Sequence, residues 1–150
     1  MADANSVILP LKVILILSQF FLVILIGYSR EEFIYKSLKQ VRAFESDEYR
    51  LASIHMWTSA GLFAFFLLAE FCTLIFGISV LFKQLNVVQV LVHFSGVLAL
   101  LWMILESWRY DVFDYIAVLT GVLPFMLELC QIFIARYKFD VIVQIQKEQR

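Results

Sequence analysis

Four ionisable side chains, Lys12, Glu70, His93 and Glu128, stand inside long apolar runs of this 150-residue chain. A charge held at the middle of a membrane-crossing helix costs about 2.5–3.5 kcal/mol on insertion scales, so each must find a partner, water or a neutral form. Two kinds of chemistry follow. Glu70, His93 and Glu128 could line a proton or ion path, or they could form a buried polar network that fixes which helix packs on which. The network reading is favoured, because transport pathways show broken helices or a second polar row. Here Pro124 is the only breaker in mid-segment, and it reads as a kink. Nucleophilic chemistry has no footing. Ser59, Ser79 and Ser95 stand in no recognisable pattern with a base, and HExxH, GxSxG, P-loop and GxGxxG patterns are absent. Cys72 and Cys130 lie in apolar runs as small hydrophobic residues, with no metal-ligand spacing. No enzyme activity, cofactor, metal or small-molecule substrate is expected.

The elements that must hold these groups follow from hydropathy. Hydrophobic residues make up 62% of the chain and the mean hydropathy is +0.85, more apolar surface than one soluble core of this size can bury. The excess must face lipid. A net charge of −1 offers no basic face to nucleic acid. A helix rising ~1.5 Å per residue needs about 20 residues to cross the hydrocarbon. Spans are predicted at 7–28, 55–82, 87–105 and 115–135, with a first loop over 29–50 and a tail over 136–150. The fold class is an all-α, four-span transmembrane bundle in one domain, with both termini on the same side. The first span lacks a basic n-region and a small-residue cleavage site and reads as uncleaved. Pro10 falls in its first turn. Phe33, Ile34, Leu38, Val41 and Phe44 recur at near-helical spacing, predicting a short interfacial helix in the first loop. The tail could continue as helix or form a strand.

Positive charge does not orient the bundle. The N-terminal segment, second loop and tail carry six basic residues (Lys12, Lys83, Arg136, Lys138, Lys147 and Arg150), and the first loop with Arg109 carries six more.

Depth suggests one pairing. His93 is about six residues into its span and Glu128 about seven from the end of the next, so both lie roughly 10 Å below the same interface. They are expected to pair, with Lys12 bordering the layer or snorkelling to the surface. Glu70, counted from a span end at Phe82, sits deeper and has no evident partner. Gly61, Ser95, Gly96 and Ala99 are small residues suited to close helix contacts, together with Pro124 as the kink. Glu106 and Trp108 mark a polar and aromatic corner where the third span ends, and Trp102, Tyr110 and Tyr115 cluster nearby.

These residues carry a resemblance. His93-Phe94-Ser95, Glu106-Ser107-Trp108, Tyr115-Ile116 and Leu123-Pro124 followed by Glu128 resemble spans three and four of the transmembrane protein 107 family. Ser29-Arg30-Glu31, Asp47-Glu48-Tyr49, Gly61-Leu62-Phe63-Ala64 and the spacing from Glu70 to Gly77-Ile78-Ser79 fit upstream. The resemblance implies a non-catalytic protein of the ciliary transition zone membrane with both ends cytoplasmic. It also implies work with tectonic-type and other Meckel syndrome module partners to build the gate that controls ciliary membrane composition. The first loop and the longer tail depart from the family pattern, so partner contacts are not carried over to them.

Overall fold

The computed structural model describes residues 5–38, 47–77 and 83–148. It is helical, with no strand among the described residues. The elements are α1 (Asn5–Tyr28), α2 (Arg30–Leu38), α3 (Asp47–Ile75), α4 (Lys83–Glu106), α5 (Tyr110–Ala117), a π turn (Val118–Val122) and α6 (Leu123–Glu148). Four stretches are long and apolar enough to cross a membrane: Val7–Tyr28, Asp47–Ile75, Gln84–Glu106 and Tyr110–Tyr137. The expected span ending at 82, Ser79, residues 39–46 of the first loop and the last two tail residues fall wholly or partly outside the described residues.

Several boundaries differ from expectation, each for a local reason. The second span runs earlier than predicted, because α3 begins at Asp47, with Asp47 and Glu48 in its first turn, where carboxylates complement the helix dipole. It stops before Gly77, whose φ of 74° only glycine adopts freely and whose N–H bonds the Leu74 carbonyl at 3.0 Å. Residues 83–86, expected as a turn, begin α4 instead, and Asn86 is buried on its inner face. The third turn shrinks to residues 107–109. Ser107 takes φ 45°, Trp108 N–H bonds Met103 O at 3.2 Å and Ser107 N–H bonds Ile104 O at 3.4 Å. This is the left-handed helix stop usually made by glycine. Pro10 lies inside α1, which starts two residues before the expected span, and the tail continues as helix to Glu148.

Around the bundle, α1 packs beside α3 and α4, while the fourth span packs beside α3 and α4 from the other side. Hence α1 faces the fourth span across one diagonal, and α3 faces α4 across the other. The inward stripes keep the 3–4 spacing of packed helices. They are Lys12, Ile16, Gln19, Val23 and Ile26 on α1; Met56, Ala60, Phe63, Leu67 and Glu70 on α3; and Asn86, Gln89, His93, Leu100 and Met103 on α4. Gly96 completes the α4 stripe. Outward positions such as Phe21, Phe65, Leu91, Leu98, Leu119 and Phe133 stay exposed, an apolar coat suited to lipid.

The first part of the predicted loop helix is present as α2, while its Val41 and Phe44 lie outside the described residues. It buries Phe33 and Ile34 against the core and packs on α1, α3 and α5, closing one end of the bundle.

Candidate functional site

The π turn and Pro124 set the fourth span's inner face. A proline has no N–H for the preceding helical turn, and the wider turn just before it accommodates that loss, with Leu123 N–H bonding Val118 O. The buried stripe then runs Phe113, Ile116, Thr120, Pro124, Glu128 and Gln131. Gly121 lies in the same turn, where an added Cβ would stand 2.6 Å from the Phe63 ring.

On this frame a polar network joins all four spans. Lys12 Nζ donates to Glu128 Oε1 across one diagonal and to Gln89 Oε1 at 2.7 Å. Gln89 Nε2 in turn donates to the Pro124 carbonyl at 3.2 Å. A second branch starts at the Ile116 carbonyl, which accepts from the Thr120 hydroxyl at 2.9 Å. Thr120 Oγ1 accepts from Gln19 Nε2 at 3.2 Å, and Gln19 Oε1 lies 2.5 Å from His93 Nδ1. His93 Nε2 lies 2.8 Å from Glu70 Oε2, across the other diagonal. Lys12, Gln19, Glu70, Gln89, His93 and Glu128 are all at 0% exposure.

The hydrogen bonds fix one proton. Gln19 uses its amide N–H toward Thr120, so its oxygen faces His93 and Nδ1 must be the donor. Lys12 and Glu128, opposite in charge, meet in the core, the arrangement under which buried ions are tolerated.

The expected pairing is therefore corrected. His93 meets Glu70, not Glu128, and Lys12 does not snorkel but is fully buried on Glu128. Both span ends move, α3 ending at Ile75 and α4 beginning at Lys83, so depths counted from 82 and 87 do not show which side chains meet. The remaining small residues divide. Gly96 is buried, and a Cβ there would collide with the Gln19 amide and stand 2.8 Å from Thr120. Ala99 packs against the core. Gly61 and Ser95, expected at helix contacts, are exposed: a Cβ on Gly61 would meet nothing within 4 Å, and the Ser95 hydroxyl bonds back to Val92 O.

Ionisable residues alone drew the expectation, so the amides and Thr120 were missed. Asn86, Gln89, His93 and Gly96 recur at 3–4 spacing on an otherwise apolar helix, which is the signal that would have found them.

At the opposite end, the Glu106 and Trp108 corner is held by α2. Lys36 Nζ donates to the Glu106 carbonyl at 2.5 Å, Tyr110 N–H to Ser37 Oγ at 3.2 Å, and the Ser107 hydroxyl to Glu32 at 3.2 Å. The Glu106 carboxyl side chain points outward, exposed, while Trp108 is half-buried with its ring 6.3 Å from Trp102. Arg30 ties α2 to α3 through Ser53 at 3.0 Å and lies 5.2 Å over the Trp57 ring. Asp114 accepts from Ser59 at 2.6 Å and sits 3.5 Å from His55. Ser59 thus serves the carboxylate and not the imidazole, a fastening between α3 and α5. Among the described residues no three His, Cys, Asp or Glu side chains converge as a metal site would.

No curated protein and no solved structure matches the chain. A family model described as a transmembrane protein matches residues 8–132, which reach into all four spans and include every member of the network. The chain is an integral membrane protein and belongs to the transmembrane protein 107 family.

Proposed function

We propose that this protein is a non-enzymatic scaffold subunit of the ciliary transition zone membrane. It helps assemble the gate that controls ciliary membrane protein composition and supports cilium assembly. Both termini face the cytoplasm and the first loop faces away. Its partners are tectonic-type and other Meckel syndrome module subunits, met within the bilayer. Family membership over residues 8–132 is the observation that carries this reading. The bundle's chemistry is compatible with it, since the ion pairs and amides join its own helices and the outer surface is apolar.

A tagged copy in ciliated cells lacking the endogenous protein tests the proposal. The expected result is a ring at the ciliary base with restored cilia, and a diffuse membrane distribution with no rescue would overturn it. Glu70→Gln, which keeps size and hydrogen bonding, should localise normally, and Glu70→Leu should localise poorly.

The close approach of Glu70 and His93 in the core favours one other reading, a small proton or ion transporter acting through Glu70, His93 and Glu128. Purified protein in sealed liposomes decides between them. A proton flux abolished by Glu70→Gln would replace the scaffold role.

A further inference from the structure

Among the described residues the buried polar side chains are confined to one half of the bundle. Moving from the end where α3 finishes and α4 begins, the stripes read Gln131, Glu128, Pro124 and Thr120 on the fourth span and Asn86, Gln89, His93 and Gly96 on α4. Beyond that level they turn apolar together: Leu100 and Met103, Ile116 and Phe113, Val23 and Ile26, Leu67 and Phe63. From Thr120 to Gln131 the polar column is about 16 Å long at ~1.5 Å per residue, roughly half of a ~30 Å hydrocarbon core. Phe63, Leu67, Leu100, Met103 and Phe113 are each at most 1% exposed, so the other half is a closed apolar plug.

Within the polar half some groups have no aligned protein hydrogen-bond partner. Gln131 is at 0% exposure, yet neither its amide nitrogen nor its oxygen is bonded. The same holds for both Glu70 oxygens and His93 Nε2, which approach each other closely but off the hydrogen-bond direction. In hydrocarbon each such group costs several kcal/mol, so the bundle needs a ligand here. Full enclosure restricts that ligand to one of very small size that both donates and accepts.

We infer that the polar half binds water, with Gln131 as its outermost ligand and Glu70 and His93 as its innermost ones. Gln131 lies one turn beyond Glu128 toward the end where α4 begins, which makes that end the nearer aqueous face. The Phe63, Leu67, Leu100 and Met103 layer seals it from the α2 end. Glu70 and His93 therefore communicate through bound water with one aqueous face only, and the column does not conduct across the membrane. This goes beyond the assembly role and does not depend on it.

Hydroxyl-radical footprinting by X-ray radiolysis tests the inference on the full chain in nanodiscs, with isotope-labelled water and mass spectrometry. Bound water labels nearby side chains, and thioethers react faster than imidazoles. His93 is expected to take up label while Met56 and Met103, both buried in the apolar half, stay protected. Gln131→Leu should lower labelling of His93 several-fold with helix content and elution unchanged. An unlabelled His93 would mean a dry network and overturn the inference. So would labelling of Met56 or Met103 at rates like that of His93, which would mean a through-going water path. Unchanged His93 labelling in a folded Gln131→Leu protein would refute the assigned route. The comparison of His93 with the two methionines stands in the native chain, whether or not the variant folds.

Discussion

Gly96→Ala isolates the contact on which the network's second branch depends. The added methyl would collide with the Gln19 amide and stand 2.8 Å from Thr120 Cβ and Oγ1, so Gln19 must swing away. That breaks its bonds to Thr120 and His93. Interhelical hydrogen bonds in membranes are worth about 0.6 kcal/mol on average and up to about 1.7, so two together are worth about 1–3 kcal/mol. Overpacking adds about 1–3 kcal/mol, and alanine's better helix propensity returns about 1 kcal/mol. The net loss is about 1–5 kcal/mol, against a neutral or slightly favourable Gly61→Ala, whose methyl meets open space. Reversible unfolding of the purified protein in mixed micelles measures both variants on one scale. Equal effects of the two substitutions, or a Gly96→Ala protein as stable as the parent, would refute the packing account. Gln19→Ala in the Gly96→Ala background should recover part of the loss, because it vacates the volume the methyl needs.

Lys12→Met and Glu128→Leu should each cost about 3–5 kcal/mol by stranding a buried charge, and the double variant much less than their sum, read from the same unfolding curves. Ser107→Gly should stabilise by about 1 kcal/mol by relieving the left-handed backbone at the α4 stop. Gly77→Ala should destabilise by about 1 kcal/mol for the mirror reason at the end of α3, and thermal shift in detergent ranks the two. His93→Ala should be rescued in part by Glu70→Leu and not by Glu128→Leu, a choice of partner that double-mutant cycles report directly.

The span count, the loop helix and the burial of the charged residues were legible in the sequence because hydropathy and cost act on each segment alone. Partner choice was not, since it depends on where helices stop. The end of α3 is set by Gly77, a single residue inside an apolar run that continues to Phe82, and α4 begins at Lys83 and not at Val87, so depths counted from the ends of the apolar runs put Glu70 about twice as deep as His93. Which helix faces which was equally hidden. Short turns put the third and fourth spans side by side, yet both ion pairs cross diagonals, one between the first and fourth spans and one between the consecutive helices α3 and α4. Gly61 and Gly96 look alike in sequence, and only the rotation of their helices separates an outward residue from the tightest contact in the core.

The π turn at Val118–Val122 makes chain length an independent variable in the fourth span. An α-helix advances about 100° per residue, so losing one residue between Phe113 and Glu128 would turn one half of the stripe by about that angle against the other. Hydropathy and span length would hardly change. Glu128 would leave Lys12, or Phe113 would leave Phe63, whichever half yielded. Single-residue deletions in this turn are therefore more damaging than substitutions at the same positions, and natural variation in this stretch is expected to conserve its length more strictly than its side chains.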